Sequence, residues 1–331
     1  MFDLTDLEAA QRVVARAMPP TPQYRWPGLC RRTGCEVWLK HENHTPTGAF
    51  KVRGGLVLLD ELAQAGKLPQ RMVTATRGNH GQSVPFAAVP QGVKVSVFAP
   101  KGNSVEKNAA MVGWGAELVE AGNDYDEARE AANRHADTEG ALYVPPFHPA
   151  LVRGVATYAL ELFTAVPDLD AVYVPIGMGS GICGLIRARD LLGLKTEIVG
   201  VVAARAPAMA RSVAAGRVVE TDAADTFADG MACRVPMPEP LEIVLRGAAR
   251  VAEVSEAGIA AAMRALYADT HNVAEGAGAA AFAALMEERE RQRGKRVAVI
   301  LSGGNVDGDV FREVLGGGVP EPGPIWKPQT L

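Results

Sequence analysis

Cysteine is scarce in this sequence. The four present, Cys30, Cys35, Cys183 and Cys233, are too few to staple a chain of 331 residues. No Cys-x-x-Cys or close histidine pair completes a zinc site around Cys30 and Cys35, so free thiols are expected. Long apolar runs are missing as well, none approaching the roughly 18–20 residues needed to cross a bilayer. The acidic start Met1-Phe2-Asp3-Leu4-Thr5-Asp6-Leu7-Glu8 lacks the basic and then apolar pattern of a secretory signal. There is no excess of positive charge: the formal net charge is −4, which removes the general electrostatic reason to bind nucleic acid or an anionic membrane. Internal repeats are absent. The expectation is a cytoplasmic protein with no nucleic-acid and no membrane partner.

What the chain does have is a hydrophobic content of 48%, enough to fill one large core or two ordinary ones. Short β-rich runs at 36–40, 72–76, 94–99, 116–119, 141–144, 171–175, 197–202 and 297–301 alternate with helix-compatible stretches such as 124–138, 151–166 and 256–268. Strands separated by helical lengths need crossover connections, which implies a mostly parallel α/β architecture. Runs 171–175 and 297–301 are almost continuously apolar, as strands buried on both faces are. The charge-dense run 287–296 reads as a solvated helix end, with Glu287 and Arg291 one helical turn apart. After Leu315, three glycines and Pro320, Pro322, Pro324 and Pro328 predict a surface tail without regular structure.

Four segments carry candidate chemistry. In Thr45-Pro46-Thr47-Gly48-Ala49-Phe50-Lys51-Val52-Arg53-Gly54, Thr47 is a plausible helix N-cap, which puts Lys51 just past the first turn. The positive helix end and burial beside Phe50 both push Lys51 toward a neutral amine. In Thr76-Arg77-Gly78-Asn79-His80, a polar turn between strand and helix offers backbone N–H groups to a carboxylate. In Gly177-Met178-Gly179-Ser180-Gly181, glycines between a buried strand and a helix suit a phosphate. Gly179 to Gly184 even fits a dinucleotide pattern, but the next strand ends Val199-Gly200-Val201-Val202-Ala203-Ala204 without the acid a ribose needs. Ser302, in Leu301-Ser302-Gly303-Gly304-Asn305, follows the last strong strand, where open α/β sheets place ligands. Taken singly, Lys51 reads as a solvated lysine, His80 as structural and each turn as a capped turn.

Together and in this order, the segments resemble the fold type II pyridoxal-phosphate (PLP) enzymes, the fold of the tryptophan synthase β chain, and within them the serine/threonine dehydratase group. The likeness runs from about Pro20 to Leu315. It implies two open, twisted, mostly parallel sheets with helices on both faces. A small domain of residues 69–148 would close over the substrate, and 1–68 with 149–331 would form a large cofactor-binding domain. The resemblance makes Lys51 the catalytic Schiff-base lysine, with Phe50 beside the cofactor. It places Asn79 at the cofactor's phenolic oxygen, Gly177 to Gly181 around its phosphate, Ser302 at its ring nitrogen and Glu275 near the ring. Thr76, Arg77, Gly78, Asn79 and His80 would hold the substrate. A homodimer is also implied, and so is the loss of water from a small 3-hydroxy amino acid, L-threonine or L-serine by default, leaving a 2-oxo acid and ammonia.

Departures from the family pattern bear on the substrate. Arg77 stands where a small Ser or Ala is usual. An arginine keeps its charge and shuttles protons poorly, which argues against racemisation. Either it pairs with a substrate carboxylate, keeping 3-hydroxyaspartate in contention beside 3-phenylserine, or it turns away into a structural salt bridge. Val202 and Ala208 replace acids that bind a divalent cation in other members, so no metal is expected there. Phe147-His148-Pro149 also departs from the usual version, with His148 either facing substrate or structural. No C-terminal regulatory domain is expected. The rival readings are a β-replacement enzyme and a non-catalytic PLP-binding protein.

Overall fold

A computed structural model of the protein describes residues 1–322. Among these residues, ten strands form two sheets. The larger contains β1 (Gln23–Arg25), β2 (Glu36–His41), β7 (Ala171–Pro175), β8 (Glu197–Ala203), β9 (Arg250–Val254) and β10 (Arg296–Leu301), in the order β1-β2-β10-β7-β8-β9. The smaller contains β3 (Arg71–Ala75), β4 (Lys94–Ala99), β5 (Glu117–Glu120) and β6 (Leu142–Tyr143), in the order β5-β4-β3-β6. Every pairing is parallel except β1 with β2. This is the expected α/β class.

Side chains of the large sheet alternate between two separate cores, as they must when helices cover both faces. Tyr173, Val199, Val201, Val297 and Val299 enter one core, while Val172, Val174, Ile198, Ala298 and Ile300 enter the other. The small sheet's core includes Leu58 and Leu59 from the Val52–Gln64 helix and Ala150 and Leu151 from the Pro149–Ala165 helix. Those two helices cross almost backbone to backbone. A Cβ on Gly54 would lie 2.9 Å from the Leu151 carbonyl oxygen, and one on Gly154 only 2.3 Å from that of Arg53. The residues just after Lys51 are thereby pressed against the body of the protein.

Arg53 is fully buried and forks between Glu42 and Glu161, at 2.8 and 2.7 Å, with Lys40 2.6 Å from Glu161. A buried charge is tolerated only when paired and hydrogen-bonded in this way. The cluster pins the segment carrying Lys51.

Several local expectations are corrected. Thr47 does not cap a helix: Ala49 bridges to Gly303 and the Phe50 N–H donates to the Ser302 carbonyl, so 47–50 stay tied to the end of β10 and the helix begins at Val52. Helix Gly276–Glu287 breaks at Glu288, so Glu287 and Arg291 do not pair; Arg250 takes Glu288 and Arg293 takes Glu290. Within the tail, Pro320 is buried, and Glu321 lies 3.5 Å from Arg205. Pro324 and Pro328 lie outside the described residues. The four cysteines are free thiols. No described helix is long and apolar enough to cross a membrane.

Candidate active site

Neighbouring strand ends build the site. β10 lies beside β7 with Val299 opposite Tyr173, so Ser302 and Gly177 emerge side by side at the carboxyl edge of the large sheet. The segment after β3 comes from the small sheet and supplies Thr76, Arg77, Gly78, Asn79 and His80. Between them lies a cavity of about 810 Å³ lined by all of these residues together with Phe50, Lys51, Gly177, Met178, Gly179, Ser180, Gly181 and Glu275. That volume falls within the about 300–1,000 Å³ of ordinary ligand sites.

Lys51 is tied from both sides. Its carbonyl accepts from Ser83 Oγ at 2.7 Å, and its Nζ stands 3.5 Å from Ser180 Oγ and 5.0 Å from the centre of the Phe50 ring. What exposure it has is to the cavity. Burial pulls its amine down to about 8, with the Glu275 carboxylate working weakly the other way. The depression comes from desolvation. Tyr158 holds the Phe50 ring edge-on at 6.1 Å and donates to the Gly181 carbonyl at 3.2 Å.

Opposite the lysine, the Ser180–Leu191 helix starts at Gly179 with no side-chain cap and no acid in its first turn. Its first backbone N–H groups are therefore unspent, and the helix end is attractive to an anion. Gly179 has φ +97°, a backbone that only glycine takes without strain. Ser302 is buried at the floor.

Asn79 is gripped on both sides of its amide. Its Nδ2 donates to Glu275 Oε1 at 2.7 Å, and its Oδ1 accepts from Asn305 Nδ2 at 2.9 Å, which also reaches the Thr47 carbonyl at 2.8 Å. Lys107, on the Val105–Gly113 helix, bonds both oxygens of Asp229 at 2.7 and 2.6 Å and stands 3.2 Å from Glu275 Oε2. Burial opposes the charge on Lys107, but Asp229 and Glu275 outweigh it and hold the ammonium above its ordinary pKa. Glu275 is itself held upward, by burial first and by Asp229.

Thr76 Oγ1 accepts from the Gly78 N–H at 2.9 Å and closes the turn. His80 is buried with its Nε2 3.4 Å from the Val144 carbonyl; burial and then the charge of Lys51 pull it down to about 3, so its ring is neutral. His148 does not line the cavity: its Nδ1 accepts from the Ala150 N–H and caps the Pro149–Ala165 helix. Arg77 does line it, and among the described residues it forms no ion pair. Its Nε is buried without a hydrogen-bond partner.

The sequence reading missed Lys107, Asp229 and Asn305. Lys107 lies in the first turn of an ordinary helix and Asp229 lies 122 residues away, so nothing local marks the pair. Asn305 stood within the quoted Ser302 segment, and only the fold shows what it holds.

A desolvated amine and unspent helix-start N–H groups face one another across a cleft between two mostly parallel sheets, the architecture of the fold type II class and a setting that suits a phosphorylated aldehyde. The family model described as pyridoxal-phosphate dependent enzyme matches residues 14–303. L-threonine ammonia-lyase of Thermotoga maritima is 33% identical over 324 residues, 98% of this chain and 80% of that protein. The processed form of threonine deaminase isoform 2 from Solanum lycopersicum superposes with a TM-score of 0.86 at 26% identity, over 95% of this chain and 94% of its own. A pyridoxal 5'-phosphate-dependent aspartate racemase superposes with a TM-score of 0.87 at 29% identity, over 93% and 97%. The chain belongs to the PLP-dependent enzyme family, in its serine/threonine dehydratase group, and its cofactor is pyridoxal 5'-phosphate.

Proposed function

We propose that this enzyme removes water from a small 3-hydroxy amino acid, the class of which L-threonine and L-serine are the simplest members, and releases the 2-oxo acid and ammonia. The observation that carries the reading is Lys51, a cavity amine lowered to about 8 and standing 3.5 Å from Ser180 at the uncapped start of a helix. The residues fit the cofactor. The unspent N–H groups of Gly179, Ser180 and Gly181 suit its phosphate, Lys51 its aldehyde and Ser302 its ring nitrogen. Phe50, Met178, Asn79 and Glu275 complete the walls, with Asn79 assigned to the phenolic oxygen. When bound, the cofactor supplies an electron sink for the pair left at Cα.

The chain's own residues do the rest. Lys51 Nζ is the base for the Cα proton, and burial, by lowering its amine, favours the neutral form that can accept it. Ser180 Oγ, 3.5 Å away, is the hydroxyl that can share that proton. The helix Asn79–Ala88 starts at Gly78 without a side-chain cap, and its first N–H groups take the substrate α-carboxylate. Asn79 cannot swing away, because Glu275 and Asn305 fix both ends of its amide.

Residues 69–148 are assigned to a small domain that closes on the carboxylate, excluding water and aligning the Cα–H bond. The protein is assigned to the cytoplasm and works as a homodimer. The test is a screen of 3-hydroxy amino acids of both configurations for 2-oxo acid release by the holoenzyme. Turnover abolished by Lys51→Ala is the expected result; no release from any of them, or transfer of an added thiol to Cβ instead, overturns the proposal.

A further inference from the structure

We propose that Arg77 reads a second acidic group on the substrate, so that the site takes by preference a 3-hydroxy amino acid whose side chain ends in a carboxylate. The proposal rests on the dehydratase reading above and names its substrate class.

Among the described residues, six basic side chains line the cavity: Lys51, Arg77, Lys107, Arg129, Arg205 and Arg234. Four of them already have acids of this chain. Lys107 has Asp229 and Glu275, Arg129 and Arg234 share Asp126, and Arg205 has Glu321. Lys51 is desolvated and lowered toward its neutral form. Arg77 has no acid of the described residues within ion-pair reach, and its Nε is buried without an acceptor. An unpaired buried donor on a charged group is costly, and a guanidinium cannot escape the cost by losing its proton. None of the described residues satisfies it, and a bound anion would.

The other anionic groups of the reaction have seats of their own. The phosphate suits the uncapped start of the Ser180–Leu191 helix, and the α-carboxylate suits that of the Asn79–Ala88 helix. Arg77 therefore faces a third anion. Its planar fork matches a carboxylate through two parallel N–H···O bonds, a geometry a threonine methyl group cannot use. Position agrees with this: Arg77 lines the cavity and sits one residue before the Gly78 cap, next to the helix start assigned to the α-carboxylate. The fold is known to serve such a molecule, since the superposed racemase acts on aspartate.

The test compares both diastereomers of 3-hydroxyaspartate with threonine on the holoenzyme. The wild type is expected to show the higher kcat/KM on 3-hydroxyaspartate. Arg77→Ala should cut the ratio of the two by about 10- to 100-fold, the worth of one charge-assisted bidentate contact. Arg77→Lys, which restores charge without the fork, should recover part of it. A second readout needs no turnover: calorimetry with aspartate and alanine, neither of which has a β-hydroxyl to lose, should show aspartate binding more tightly to the wild type and no such preference in Arg77→Ala. Preference for threonine in the wild type, or an equal loss on both substrates in Arg77→Ala, overturns the proposal. Failure on every 3-hydroxy amino acid would instead overturn the dehydratase reading, with the aspartate-over-alanine preference still deciding Arg77.

Discussion

Replacing Lys107 by methionine should both weaken the protein and change how it responds to acid. Lys107 is the one side chain from the small sheet's helices that ion-pairs with both Asp229 and Glu275 of the cavity wall among the described residues. Its side chain is 6% exposed, that of Glu275 3% and that of Asp229 25%. Removing one partner of a buried pair leaves the other as an uncompensated charge, at a cost of about 3–5 kcal/mol. Water reaches Asp229, so the lower end of that range is expected. Asp229→Asn should weaken the protein less, and the double variant should be more stable than the sum of the two losses predicts by about 1–3 kcal/mol. The pH dependence follows from Glu275, whose carboxyl is already held upward by burial and by Asp229. Without the ammonium it rises further, so acid protonates it earlier. The penalty of Lys107→Met is therefore largest near neutral pH and shrinks as pH falls through the carboxylate range, where the wild type loses the same pair. Equilibrium urea unfolding of the four proteins at two pH values measures all of this. Strict additivity, or a penalty that does not change with pH, refutes the reasoning.

Two further outcomes are expected. Arg53→Met strands Glu42 in the interior, leaves Glu161 with Lys40 alone, and should cost about 3–5 kcal/mol, read as a fall in Tm with loss of cofactor retention; a loss no larger than that of a surface arginine contradicts the role given to the cluster. In cofactor-free protein, the lowered Lys51 amine means that its charge penalises the folded state below about pH 8 and that the penalty is relieved as pH rises toward 10.5. Lys51→Met should accordingly be the more stable protein near neutrality and lose that advantage in alkali, and a gap independent of pH contradicts it.

The parts of the fold legible in advance are those where burial writes itself into the chain. Ala171–Pro175 is buried along its whole length, and its unbroken apolar run announced a central strand to the residue. β1 and β9 escaped notice because they are edge strands, short or half-exposed, and Gln23-Tyr24-Arg25 has no apolar alternation to read. The turn at Thr47 was misjudged because a pairing with Gly303, far along the chain, outweighs a local capping preference. At the site, residues in glycine-marked turns after strands could be found from their neighbours. Lys107 and Asp229 could not, since a single charge on a helix and another in a loop become a pair only when the two sheets meet. Arg77 was visible as a departure from pattern, but whether it turned into the cavity or into a salt bridge depended on which acids the fold brought near it.

The claim on which the rest depends is that Lys51 carries the cofactor. Native holoenzyme treated with borohydride, digested and examined by mass spectrometry should show one peptide heavier by the reduced pyridoxal phosphate group, with the modification on Lys51. An adduct on any other lysine, or none in protein that has bound the cofactor, would contradict it.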